Sequence, residues 1–278
     1  MMHVIVTGGS SGIGLEVARL YAGRGARLTL ISRDAARLEK ARAELLSAGP
    51  ISSADIRIAP VDVCQDGDLA AAIAAAEVVL GSCDVLVTSA GVVEPGMFET
   101  LSSEAFAEQV TINLIGTANA VRAVYRGMKS RGEGRIMIVS SGAALIGIYG
   151  YASYCASKSA LTGFAEALGM EAVGSGVVIS ICYPPDTTTP QLERELLTRP
   201  REAKIVIGAA LPWTAKVVAE RIVRAVDLGR PRLYFGFSIT ALGFFGSMIK
   251  PLLFRWYRRR FARYPLSFKG TRSGRRRS

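Results

Sequence analysis

Short apolar runs alternate along the chain with longer segments in which apolar residues recur at helical spacing. The apolar runs fall at 3–7, 27–32, 55–62, 84–87, 133–140, 177–183 and 232–237. They are short and almost continuously apolar, as expected of strands covered on both faces. The intervening segments at 12–24, 34–47, 66–80, 104–129, 154–174 and 214–228 carry a helical pattern. The first of these sets Ile13, Val17, Leu20 and Tyr21 on one side. Strand and helix in strict alternation predict an α/β fold, a Rossmann-type doubly wound parallel sheet with helices on both faces. The chain shows no internal repeat.

Composition narrows the class. With 278 residues and 50% hydrophobic content the chain is long enough to bury a full core as one domain. The four cysteines, Cys64, Cys83, Cys155 and Cys182, have neither metal-ligand nor disulfide spacing, which points to a reducing compartment. The single histidine, His3, lies on the first strand, so a Ser–His hydrolase and a His-ligated metal are both disfavoured, and no metal is expected. No signal peptide is expected ahead of the first strand.

Chemistry concentrates in two places. Tyr154 and Lys158 are four residues apart in a predicted helix, so both side chains project from one face. A lysine cation beside a phenol favours the phenolate, so Tyr154 is expected to titrate below the usual tyrosine value and to exchange a proton with a carbonyl oxygen. At the other end, the first strand runs directly into Gly8-Gly9-Ser10-Ser11-Gly12-Ile13-Gly14 and then into a helix. Glycines there let the backbone approach a pyrophosphate, and the helix N-terminus supplies free N–H groups and positive potential.

The Gly8-x-x-x-Gly12-x-Gly14 spacing, together with Tyr154-x-x-x-Lys158, resembles the short-chain dehydrogenase/reductase family, and the resemblance runs from about residue 3 to 237. Ser141 lies thirteen residues before Tyr154 at the end of an apolar strand, and Asn113 occupies the family's fourth catalytic position. Asp62-Val63 ends the third strand, where the family holds the adenine. Thr88-Ser89-Ala90-Gly91 stands where the family has Asn-Asn-Ala-Gly, with Ser89 in place of the second Asn. The resemblance implies a catalytic set of Asn113, Ser141, Tyr154 and Lys158. It implies a dinucleotide site formed by Gly8, Ser10, Ser11, Gly12, Ile13, Gly14, Arg33, Arg37, Asp62, Val63, Ala90 and Gly91, with Tyr154, Lys158, Pro184, Thr187 and Thr189 near the nicotinamide.

The second strand ends Ser32-Arg33-Asp34. NAD sites usually carry an acid at that strand end to grip the ribose hydroxyls. Here Ser32 takes that place and Arg33 follows, with Arg37 one helical turn on, so a 2′-phosphate and hence NADPH is expected. The opposing possibility is that Asp34 neutralises Arg33.

After the sixth predicted strand comes Tyr183-Pro184-Pro185-Asp186-Thr187-Thr188-Thr189-Pro190, with Pro185 where the family has Gly. That string, with Gly-Gly-Ser-Ser-Gly and Ser32-Arg33, is similar to the 3-ketodihydrosphingosine (3-ketosphinganine) reductase branch. The resemblance implies NADPH-dependent reduction of a long-chain lipid ketone to its alcohol at a membrane, most similar to 3-ketosphinganine to sphinganine. Reduction of another apolar ketone (steroid, retinoid or β-ketoacyl thioester) and a nonenzymatic NADP(H)-binding module are the alternatives. A sphingoid base carries an ammonium, so an acid near the pocket mouth, Asp186 or Glu193, would favour the first.

Charge divides the chain. Of the 34 Lys and Arg, thirteen lie beyond Asp227, the last acidic residue; the preceding body holds 21 against 23 acidic residues. The uncharged stretch 233–249 leads into Lys250, Arg255, Trp256, Tyr257 and Arg258 to Arg260. The expected division is a reductase domain at 1–238, with a substrate lid at 184–213, and a C-terminal segment at 239–278. That segment is expected to lie on a membrane surface rather than span it, because the apolar stretch is short and carries three glycines within 233–249. A homo-oligomer, membrane association with the catalytic body in the cytoplasm, and no nucleic-acid partner complete the expectation.

Overall fold

The computed structural model describes residues 1–208 and 211–261. Its centre is a seven-stranded parallel sheet in the order β3-β2-β1-β4-β5-β6-β9. The strands are β1 (His3–Thr7), β2 (Arg27–Ser32), β3 (Ile56–Pro60), β4 (Val85–Thr88), β5 (Gly134–Val139), β6 (Val177–Tyr183) and β9 (Arg232–Tyr234). The short strands β7 (Thr187–Thr188) and β8 (Trp213–Thr214) pair apart from it.

Alternation along each strand assigns its side chains to two cores. Val4, Val6, Leu28, Leu30, Val85, Val87, Met137 and Cys182 face α1 (Gly12–Ala22), α2 (Ala35–Ala48) and α9 (Ala215–Asp227). Ile5, Ile31, Leu86, Ile136, Ile138 and Ile181 face α3 (Asp66–Leu80), α5 (Gly116–Arg131) and α6 (Ala152–Glu171). This explains why the strand segments read as unbroken apolar runs: both faces of the sheet are covered. The strand order reverses between β1 and β4, and ligands of such sheets bind at that crevice, beyond the carboxyl ends of the strands.

The helix expected over 104–129 is not continuous. It consists of α4 (Ser103–Val110), a wide turn at Thr111–Ile115 with hydrogen bonds five residues apart, and then α5. Such turns often mark functional positions, and Asn113 sits in this one. Within the expected lid, of which 209–210 lie outside the described residues, α7 (Pro190–Thr198) starts with Thr189 accepting from the Leu192 amide, and α8 (Ala203–Ile207) follows.

The last strand is shorter than expected. β9 stops at Tyr234, Phe235 is buried, and Gly236, at φ +72, turns the chain straight into α10 (Gly236–Phe261). α10 is irregular at Phe245 and contains Pro251. It has the length and mean hydropathy to cross a membrane, and the apolar window that meets this test is 0% buried.

Candidate active site

A cleft of about 450 Å³ opens at the carboxyl ends of β1, β4, β5 and β6. Its floor is the glycine loop. Gly8 holds φ +69, and a Cβ there would come within 2.7 Å of the Ala90 amide nitrogen, so only glycine lets the β1 and β4 loops meet this closely. Gly14 does not line the cleft; it packs beneath the loop, where a Cβ would lie 2.5 Å from the Gly8 carbonyl oxygen. Ser11 begins α1 without capping it through its side chain, which leaves the first-turn amides of that helix to the cleft. A bare loop backbone and an uncapped helix start are what a pyrophosphate requires, so these residues fit a dinucleotide.

The nucleotide end carries two arginines. Ser10 and Ser32 are joined hydroxyl to hydroxyl at 3.1 Å, fixing the loop to the end of β2. Arg33 lies 3.8 Å from Asp62 and Arg37 lies 3.1 Å from Asp34, each with its side chain 58% exposed. Asp34 therefore pairs with Arg37, not with Arg33, while also capping α2. Both arginines line the cleft, together with Asp62 and Val63. Their pairings are surface contacts and leave guanidinium N–H groups for a phosphate.

At the other end, β5 and α6 bring the expected catalytic residues together. Ser141 lies two residues past the end of β5 in extended backbone, and its Oγ accepts from the Ala143 amide at 3.1 Å. Ser140 donates to the Lys158 carbonyl at 2.9 Å, tying α6 to the strand end. Lys158 is buried at 5% exposure, and its Nζ donates to the Val139 carbonyl at 3.1 Å and sits 5.9 Å from the Tyr154 ring centroid. Ser141, Tyr154 and Lys158 all line the cleft, as do Ala90, Gly91, Pro184, Thr187 and Thr189.

Asn113 is fully buried and behind the cleft wall. Its side chain accepts from the Val92 amide at 2.8 Å and donates to the Val92 carbonyl and to Ser157, each at 2.9 Å. Both amide N–H groups are thus used in joining the post-β4 loop to α6. Ser89 keeps the β1–β4 link through its backbone, donating to the Thr7 carbonyl at 3.1 Å.

The electrostatics correct one expectation. Tyr154 is raised, not lowered: burial pushes the phenol up and outweighs the Ser141 hydroxyl that pulls it down, while Glu195, Cys155 and Asp186 add to the rise. The cation expected to lower it is itself compromised, because burial brings Lys158 down to about 8. A buried ammonium nearly 6 Å from the ring is too weak to overcome the phenol's own desolvation.

Sequence reading missed a cluster beside Tyr154. Arg199, with its side chain 6% exposed, reaches Asp186 at 2.6 Å and Glu195 at 2.5 Å, and its Nε donates to Tyr151 at 3.0 Å. The Tyr151 hydroxyl donates to the same Glu195 oxygen at 2.7 Å. Asp186 was a candidate acid at the pocket mouth, and the Glu195/Arg199 spacing of four was visible; Arg199 and Tyr151 are brought to them by the fold. Tyr151, Asp186 and Glu195 line the cleft, and Glu193 does not. Ser238, Ile239 and Leu242 of α10 also line it. Among the described residues no group of acidic, cysteine or histidine side chains could hold a metal.

Residues 2–199 match the short chain dehydrogenase family model. The chain belongs to that family. Over 243 residues it is 37% identical to the 3-ketodihydrosphingosine reductase of Bos taurus, covering 87% of this chain and 72% of the relative. It is also 37% identical to the 3-dehydrosphinganine reductase of Danio rerio over 235 residues, 84% of this chain and 71% of the relative. A crystal structure of levodione reductase shares the fold at a TM-score of 0.76 and 23% identity, covering 84% of this chain and 95% of that one. The chain is therefore an oxidoreductase of a ketone and its alcohol that uses a nicotinamide dinucleotide.

Proposed function

We propose that the protein reduces the 3-keto group of 3-ketosphinganine to give sphinganine, with NADPH, at a membrane surface. The observation that carries the reading is one cleft in which Ser141, Tyr154 and Lys158 face the glycine loop while α10 forms part of the wall. The two 37% identical relatives described above carry this activity in their names.

The bound cofactor supplies a hydride to the carbonyl carbon. Tyr154 gives its phenolic proton to the carbonyl oxygen; a raised pKa keeps that proton in place at neutral pH. Ser141 donates a hydrogen bond to the same oxygen as negative charge builds on it. Lys158 holds the ribose hydroxyls and stabilises the phenolate that forms. Asn113 keeps the post-β4 loop and α6 in register for this geometry. Arg33 and Arg37 take the 2′-phosphate.

The amine of the substrate has a counterpart. Asp186 and Glu195 bring two carboxylates to the cleft against the single Arg199 guanidinium. Both side-chain hydrogen bonds to the Glu195 carboxylate go to Oε1, and Arg199 uses only Oδ2 of Asp186. The second oxygens are left for an ammonium, which a steroid, a retinoid or a β-ketoacyl group lacks. α10 supplies the address: Phe237, Phe244, Met248, Leu252 and Trp256 are exposed, with Arg255 and Arg258 to Arg260 among and beyond them. In this reading the catalytic body faces the cytoplasm.

The test is NADPH oxidation in detergent with 3-ketosphinganine, its N-acylated neutral counterpart, a steroid ketone, a retinal and a β-ketoacyl thioester. The amino ketone should give the highest kcat/KM. A higher value for any neutral ketone would overturn the assignment.

A further inference from the structure

A second cavity, of about 260 Å³, lies beside the first. The two share a wall: Ile148 and Val206 line both. One side of the second cavity is the loop at Gly147 with the start of α6 at Ala152; the other is the distal half of α10, at Phe254 and Tyr257. Apart from Arg258 and two tyrosine hydroxyls, the side chains of its lining offer only apolar groups and the Cys155 thiol.

We propose that this cavity holds the alkyl chain of the substrate and limits the chain length the enzyme accepts. The inference rests on the lipid-ketone reading above and specifies where the lipid part goes. From Tyr154 and Ser141 the main cleft itself runs on past the apolar Leu192, Ile239 and Leu242, and two further directions lead out of it. Toward the glycine loop a ketone meets Arg33, Arg37 and the helix start, which suit phosphate. Past Ile148 and Val206 it meets the apolar cavity, which is also lined by Cys155, the residue after Tyr154 on α6.

The position of α10 makes this the natural route from lipid. Its distal half is the outer wall of the cavity, and the same stretch exposes Leu252, Phe254 and Trp256. A chain sliding from a bilayer along this helix reaches the cavity over apolar side chains. Each methylene buried there should raise kcat/KM about threefold to fourfold until the cavity is full.

The test uses full-length enzyme in detergent micelles and amino ketones that differ only in chain length. Wild type should show kcat/KM rising with length and then levelling. Gly147→Phe is the main variant, since a Cβ at Gly147 meets no atom within 4 Å and the ring would enter open space. Ala152→Trp fills the cavity from the exposed start of α6, should the first variant not fold. Either variant should level off several methylenes earlier, lowering the ratio of long-chain to short-chain kcat/KM roughly tenfold or more. An unchanged ratio in an active variant, or a wild-type kcat/KM independent of length, would overturn the proposal. If wild type turns over no long-chain amino ketone while reducing other ketones, the functional reading fails first, and that result is distinct from a flat length series.

Discussion

Two apolar helices flank the last strand, and they meet opposite fates. α9 buries Val218, Ala219, Ile222 and Val223 at 0–1% exposure against the sheet and α1. α10 buries only Gly246 and Tyr257 while exposing Phe237, Phe244, Phe245, Met248, Leu252, Phe254 and Trp256. The first helix closes against the sheet; much of the second's apolar surface is left uncovered among the described residues, which fits the proposed contact with an outside apolar phase. Chemistry and cofactor belong to the body. In the proposed function, delivery of substrate belongs to α10.

The largest effect should come from the body and should ignore how substrate is delivered. Tyr154→Phe removes the proton donor, and kcat/KM should fall by about 10²–10⁴ on short and long ketones alike, with NADPH affinity retained in fluorescence titration. A loss confined to vesicle-borne substrate would place Tyr154 in delivery instead.

Deleting residues 246–278 should do the reverse. The cut falls just after the irregular position at Phe245 and keeps the cleft-lining Ser238, Ile239 and Leu242. Loss of several inserting apolar side chains should lower vesicle binding by roughly a hundredfold in co-sedimentation, while a short ketone is still reduced. An unfolded product would show that distal α10 is part of the core.

Arg33→Ala should weaken NADPH about ten- to hundredfold and leave NADH nearly unchanged, the loss of one charge-assisted hydrogen bond. Equal losses for both would remove Arg33 from 2′-phosphate recognition.

The smallest predicted effect is on pH. Lys158 loses its proton near pH 8, far below the ordinary lysine value of 10.5, because it is buried. Ketone reduction should therefore hold steady below pH 8 and decline above it, and Lys158→Arg should remove that decline in whatever activity it retains. A decline only above pH 10 would point to the phenol. Stability runs the other way: between pH 8 and 10.5 the unfolded chain binds this proton more tightly, so the Lys158 contribution becomes more favourable as pH rises through that window. Lys158→Met should accordingly raise the melting temperature at pH 7 while losing turnover.

Much of the body was legible because local pattern and fold agree. Unbroken apolar runs marked strands covered on both faces, and the glycine loop announced itself by spacing. Tyr154 and Lys158 came together because four residues make about one helical turn. What was missed depends on contacts between distant segments. The turn around Asn113 has no signature in the periodicity of 104–129. The Arg199 cluster needs the lid folded over Tyr151, 48 residues earlier. The direction of the Tyr154 shift depends on burial, which spacing alone does not report. The start of α10 at Gly236 was hidden because Leu233 to Phe235 still read as strand.

The most direct test puts full-length protein, NADPH and vesicles carrying 3-ketosphinganine together and follows NADPH loss alongside sphinganine formed. The account predicts one sphinganine per NADPH oxidised, at a rate well above that of the protein lacking 246–278. Reduction of short ketones with no sphinganine from the vesicles would contradict it.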